Sequence, residues 1–175
     1  MDTRVVDADS SSNLPVVIVR LFNTVGPRQS GQYGMVVPRF VSAALAGRPL
    51  EIHGDGLQTR CFCHVEDTIR ALRDLMASGR SGEIYNVGST ERITIECLAK
   101  RVLELTRSGS EIVHVPYDRV YGQGIEDMLH RQPSIDKVTA AVDWRPTRSL
   151  DEILADVIGY VRTAPVLDES LVDAS

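Results

Sequence analysis

A chain of 175 residues is long enough for one domain of ordinary size, and a hydrophobic content of 43% supports a packed core rather than a disordered chain. A net charge of −5 with no long basic block argues against nucleic acid as a partner. No apolar run approaches a membrane span, and three cysteines suit a reduced, cytoplasmic protein better than a disulfide framework.

Residues 1–14 carry three serines and three aspartates and read as a disordered leader, unlike a signal peptide. Pro15 then opens a continuous apolar run, Val16 to Val19, closed by the Gly26-Pro27 breaker. Such a run predicts a strand buried on both faces, as in parallel sheets. Ligands of open α/β sheets sit beyond the carboxyl ends of the strands, which makes Asn23 and the glycine-rich loop after it candidate ligand positions. Val37, Phe40, Val41, Ala44 and Leu45 recur at helical spacing, and Gly47 closes that helix.

Leu50 to His53 predicts a short strand, Gly54-Asp55-Gly56 a hairpin-type turn, and Thr59 to Val65 a second strand. Glu66 to Met76 reads as a helix with an acidic first turn and an apolar face of Ile69, Leu72, Leu75 and Met76. Ile84 to Gly88 is another strand. Thr94 caps a helix whose stripe is Ile95, Leu98, Ala99, Val102 and Leu103. Glu111 to Pro116 is a strand of mixed pattern, Tyr117 to Gln132 carries no assignable period, and Ser134 to Val142 is a short helix. Ser149-Leu150-Asp151-Glu152 is a capping box, followed by a stripe of Leu150, Ile153, Leu154, Val157, Ile158 and Val161. Residues 163–175 read as a disordered acidic tail, which leaves 15–162 as the folded domain.

Three features suit an anion. They are Asn23 with the loop to Arg28, Arg60 after the Gly-Asp-Gly turn, and Arg131 just before Pro133. A guanidinium matches phosphate oxygens two at a time, so two arginines from distant segments converging beside Asn23 would form a diphosphate clamp. From spacing alone, a surface position or a structural ion pair is the commoner fate of such arginines. Cys61, Cys63 and His64 do not follow zinc-ligand spacing and read as core residues. In a single strand the two thiols would share one face and His64 the other. His53, His114 and His130 suggest no triad, Glu126-Asp127 reads as a solvated pair, and Trp144 reads as a core plug.

Arg20-Leu-Phe-Asn-Thr-Val-Gly-Pro-Arg28 resembles the segment that follows the catalytic tyrosine and lysine in NAD-dependent nucleotide-sugar epimerases, dehydratases and decarboxylases, the extended short-chain dehydrogenase/reductases. Val37-Pro-Arg-Phe40, Gly54-Asp-Gly-Leu-Gln-Thr-Arg60, Phe62-Cys-His-Val-Glu-Asp67, Tyr85-Asn-Val-Gly88 and Trp144-Arg-Pro146 follow in the family's order. Within the family the chain looks most like UDP-glucose 4-epimerases and UDP-glucuronate decarboxylases, and His130-Arg-Gln-Pro-Ser134 is similar to the decarboxylases' basic segment. The resemblance implies an α/β fold: partial Rossmann-like sheet strands plus the small substrate-binding lobe. It also implies a UDP-sugar ligand. Asn23 would contact the diphosphate-sugar, Val36, Val37 and Arg39 would pack the uracil, and Arg60 and Arg131 would hold the diphosphate and ribose, with Arg131 assisting catalysis in decarboxylases. Val25 and Ile125 stand where the family often has aromatics.

The family binds NAD through a Gly-x-x-Gly-x-x-Gly turn and moves protons with a Tyr-x-x-x-Lys pair. Neither pattern occurs in these 175 residues, whose two lysines are Lys100 and Lys137. The expectation is therefore a chain lacking the N-terminal cofactor half, inactive alone and binding no NAD by itself. Such a chain would be a homo-oligomer, a subunit paired with a separate NAD-binding half, or a non-catalytic UDP-binding module. Its sheet strands, cut off from their neighbours, would leave apolar edges and a face uncovered.

Overall fold

The computed structural model describes residues 15–29, 35–117 and 128–163. In chain order its elements are β1 (Ile18–Leu21), β2 (Thr24–Val25), α1 (Val36–Leu45), β3 (Leu50–His53), β4 (Thr59–Cys61), β5 (Cys63–His64), α2 (Val65–Ser78), β6 (Ile84–Val87), β7 (Arg92–Thr94), α3 (Ile95–Thr106), β8 (Ile112–Val115), α4 (Asp136–Val142) and α5 (Leu150–Thr163). The leader, the proposed tail from 164 onward, and Ile125, Glu126 and Asp127 lie outside the described residues.

The strands form four pairs. β1 lies parallel to β6 with Ile18 opposite Ile84, β2 parallel to β5, and β3 parallel to β8 with Leu50 opposite Ile112. β4 runs antiparallel to β7, with Thr59 opposite Thr94. Two apolar clusters result. The larger joins α1, β3, α3 and α5 through Phe40, Val41, Leu50, Ile52, Leu98, Val102, Leu154 and Val157. The smaller joins α2, β6 and α4 around Leu75, Tyr85, Val87, Val138 and Trp144.

The helical stripes of α1, α3 and α5 face the larger cluster as their spacing requires. Thr94 Oγ1 accepts from Cys97 N at 3.1 Å at the head of α3. Ser149 and Glu152 exchange main-chain bonds at the head of α5, Ser149 N donating to the Glu152 carboxylate at 2.8 Å and Glu152 N to Ser149 Oγ at 3.4 Å. Each bond satisfies an N–H that a helix start otherwise leaves without an acceptor. Thr94→Ala is expected to destabilise the chain by about 1 kcal/mol, read as a lower urea midpoint at unchanged m-value.

Four expectations need correction. β1 is not buried on both faces. Among the described residues it pairs only with β6, and Val16 and Leu21 are 42% and 46% exposed. Gly54-Asp55-Gly56 does turn the chain, with Gly54 and Gly56 at φ +78° and +75°, but it makes no hairpin. β3 and β4 leave the turn to pair with β8 and β7 respectively. The predicted strand from Thr59 to Val65 is two strands broken at Phe62, so Cys61, Phe62, Cys63 and His64 are all buried rather than alternating.

The fourth correction concerns α2. Ile69 and Met76 are 58% and 88% exposed, while Asp67, Thr68, Ala71 and Leu75 face inward. The helix is rotated because Asp67, at 2% exposure, is fully satisfied by its neighbours. Its carboxylate accepts from Thr147 N (2.9 Å), Thr147 Oγ1 (2.8 Å) and Arg148 N (3.0 Å), and pairs with Arg70. Its carbonyl accepts from Trp144 Nε1 at 2.9 Å, which seats that indole as a wholly buried plug. A buried charge with this many donors overrides an apolar stripe.

Candidate functional site

The carboxyl ends of β1 and β2, the start of α1, the turn after β3 and the strand β4 enclose a hollow of about 180 Å³. Its walls are Asn23, Thr24, Val25, Gln29, Met35, Val36, Val37, Pro38, Arg39, His53, Gln58, Arg60, Phe62, Ile95 and Tyr117. Five residues singled out in the sequence, Asn23, Val36, Val37, Arg39 and Arg60, therefore share one hollow. Arg131 is not among its walls.

Asn23 adopts φ +41°, a left-handed conformation that asparagine tolerates better than most side chains. Its Nδ2 donates to Cys61 O at 2.8 Å and its carbonyl accepts from Cys63 N at 3.1 Å, so it ties the tip of β1 to β4 and β5. Arg60 is anchored by Nη1, which donates to Thr59 O (2.9 Å) and Met128 O (2.8 Å). These main-chain acceptors fix the guanidinium at the wall.

The head of α1 adds a second positive feature. Met35 supplies no side-chain cap, and the first turn has no acidic residue. Pro38 carries no N–H and Arg39 N donates to Met35 O at 3.3 Å, which leaves the N–H groups of Val36 and Val37 and the helix dipole to favour an anion. Val36, Val37 and Pro38 of the same turn give the hollow an apolar wall.

Arg39 reaches across to β3. Its Nη2 donates to Glu51 O at 2.8 Å, and its Nη1 lies 3.1 Å from His53 Nε2. A guanidinium can only donate, so Nε2 accepts, and burial, then the Arg39 charge, lower the His53 pKa. Burial raises the pKa of Cys61 and pushes that of Cys63 up to about 11. Among the described residues no cluster of three His, Cys, Asp or Glu side chains is placed to hold a metal.

Arg131 lies beside the hollow without entering its walls. Its main-chain N donates to Thr59 O at 3.4 Å, so its segment does run next to Arg60. Its guanidinium stacks over the ring of Phe22, the neighbour of Asn23, at 5.4 Å, an attraction of cation to π-face. Sequence reasoning missed His53, Gln58 and Tyr117 as wall residues, whereas Gln29 belongs to the loop after Asn23 that it did place there. The Gly-Asp-Gly-Leu-Gln-Thr-Arg run already placed Gln58 two positions before Arg60, and that was the available signal.

The hollow can hold an anionic group between Asn23, Arg60 and the head of α1, with a flat apolar group against Val36 and Val37. At Gly26 the space for a Cβ is taken by Val65, and at Gly88 by Phe22 and Pro133. Both glycines serve close protein packing.

The model of the NAD dependent epimerase/dehydratase family matches residues 1–88, just over half of the chain. The chain belongs to that family. It is 42% identical over 150 residues to a UDP-N-acetyl-alpha-D-glucosaminuronate decarboxylase of Bacillus cytotoxicus, covering 85% of this chain and 47% of that protein. It is 33% identical over 151 residues to UDP-glucuronic acid decarboxylase 6 of Arabidopsis thaliana, covering 86% and 42%.

Among solved structures of epimerases and dehydratases, it matches the UDP-glucose 4-epimerase of Thermotoga maritima with UDP-glucose at a TM-score of 0.76 and 30% identity, covering 85% of this chain and 46% of that one. The UDP-glucuronic acid 4-epimerase of Bacillus cereus, in complex with UDP-glucuronic acid and NAD, matches at 0.75 and 27%, covering 85% and 46%. The chain thus spans about half the length of the epimerase and decarboxylase relatives it matches. Its mixed α/β architecture is theirs.

Proposed function

We propose that the hollow binds the nucleotide-diphosphate part of a UDP-sugar, and that this chain is the sugar-nucleotide-binding portion of an NAD-dependent epimerase or decarboxylase. The observation that carries the reading is that Asn23, Arg60 and the first turn of α1 line one hollow with an apolar wall. Asn23 and Arg60 would take the diphosphate, and Val36, Val37 and Arg39 the uracil. Arg131, over the Phe22 ring beside Asn23, would hold the ribose or diphosphate from the rim, and the reading does not depend on it. The relatives' names, each a UDP-sugar decarboxylase or epimerase, support the choice of nucleotide.

In the complete enzyme NAD supplies hydride exchange at the sugar. The residues of this chain bind and orient the nucleotide; they include neither the Gly-x-x-Gly-x-x-Gly turn nor the Tyr-x-x-x-Lys pair. In the complete enzyme those elements would lie on an NAD-binding half. The open side of β1, with Val16 and Leu21 exposed, supports an association along that strand, with such a half or with a second copy.

Calorimetric titration of the chain with UDP, UDP-glucuronate and NAD tests the reading. UDP and UDP-glucuronate are expected to bind and NAD is not. NAD binding, or no heat with either uridine nucleotide, contradicts it.

A further inference from the structure

β1 bonds to β6 along one edge. Ile18 N donates to Glu83 O at 3.0 Å, Phe22 N donates to Val87 O at 2.9 Å, and Val16 O accepts from Gly82 N at 2.7 Å. Main-chain groups of successive strand residues point to alternate edges, so those of Val17, Val19 and Leu21 point the other way. Among the described residues no strand lies on that edge. The side chains of Val17 and Val19 pack on the smaller cluster, and Leu21, 46% exposed, follows them on the same face.

Beside this edge α2 carries an apolar flank. Its Ala71 and Leu75 face the β1–β6 pair, and its C-terminal end lies against β1, where Val17 Cγ2 would be 3.2 Å from a Cβ at Gly79. One flank of the helix is covered. Arg70 lies 5.8 Å from the centre of the Trp144 ring, just beyond α4, and α4 stands by β6 with Lys137 5.2 Å from the centre of the Tyr85 ring. At about 3.6 residues per turn, Ile69, Leu72 and Met76 fall on the other flank, turned from α4 toward the open edge of β1. Ile69 and Met76 are 58% and 88% exposed.

We propose that the strand edge and the helix flank form one interface with a second copy of this chain, about a two-fold axis at Val19. Antiparallel pairing there sets Val17 opposite Leu21 of the second copy, and the main-chain groups of Val17, Val19 and Leu21 all enter the ladder. Arg20 then faces Ile18 of the second copy, so like charges are not opposed. The same axis keeps both α2 helices on one face of the joined sheet. Each lies beneath its own β1–β6 pair, so their axes fall two strand spacings apart, about 10 Å, the distance of packed helices. Ile69 meets Met76 of the second copy, and Leu72 meets Leu72. Both features are self-complementary about one axis, which selects a second copy over an unlike partner.

The test is sedimentation of the 175-residue chain together with amide hydrogen exchange. At about 100 μM the wild type should sediment at twice 19.3 kDa, and the amides of Val17, Val19 and Leu21 should exchange slowly there and rapidly on dilution to monomer. The double variant Ile69→Glu/Met76→Glu sets carboxylates against each other in the helix seam and should weaken the dimer by about 100-fold or more, with an unchanged circular dichroism spectrum. A wild type that is monomeric at that concentration overturns the proposal. So does a dimer in which those amides exchange rapidly, or a folded double variant that dimerises like the wild type. The wild-type mass and exchange decide the matter even where the variant does not fold.

Discussion

Asp67→Ala is expected to destabilise the chain by about 3 kcal/mol or more, the usual cost of breaking a buried, multiply bonded charge. Removal of the carboxylate strands the N–H groups of Thr147 and Arg148 and the Thr147 hydroxyl, all of which it now accepts from. It also loosens the segment that carries Trp144, whose indole is bonded to the Asp67 main chain. Burial by itself would push this carboxyl up, but the bonds from Thr147, Arg70 and Arg148 together outweigh it and hold its pKa below 3.8.

The sign of the pH dependence follows. With the folded-state pKa depressed, the contribution is fully present above the unfolded value near 3.8 and is lost as pH falls through the folded value. Urea unfolding of the wild type at successive pH values should lose stability on that acid limb. Asp67→Asn should show a shallower limb and a smaller loss at neutral pH than Asp67→Ala. An alanine variant as stable as the wild type would show that the buried carboxylate is not what rotates α2.

Arg60→Ala is expected to weaken UDP binding by about 10- to 100-fold, the range for one or two hydrogen bonds to a charged group. Thr59 O and Met128 O hold the guanidinium at the wall, so little ordering is left for the ligand to impose. Arg60→Lys should recover only part of the affinity, since it restores a point charge but not the fork. Thermal unfolding of both variants separates this effect from the loss of the Met128 bond. Unchanged UDP affinity in a folded Arg60→Ala chain would remove Arg60 from the site.

Local patterns in the sequence carried much of the fold. The stripes of α1, α3 and α5, the Thr94 cap and the Ser149–Glu152 box depend on residues within one or two turns of each other, and they stand where the spacing puts them. What spacing could not disclose was set by long-range partners. The inward face of α2 depends on Thr147 and Arg148, eighty residues away, and the break at Phe62 on two different partner strands. The same division holds at the hollow. Asn23 at a strand tip and Arg60 in its motif were legible, whereas the orientation of Arg131 depends on the Phe22 ring. Gln58 and His53 matter only because a carbonyl and an arginine hold them from the side.

The most direct test of the account maps where a uridine nucleotide sits. In ¹H–¹⁵N spectra of the labelled chain titrated with UDP, the shifted amides should cluster at Asn23 to Val25, Val36 to Arg39 and His53 to Phe62, with Arg60→Ala abolishing the pattern at the same concentrations. Shifts centred elsewhere, for example on α3 and α5, or no shifts at millimolar UDP, would contradict it.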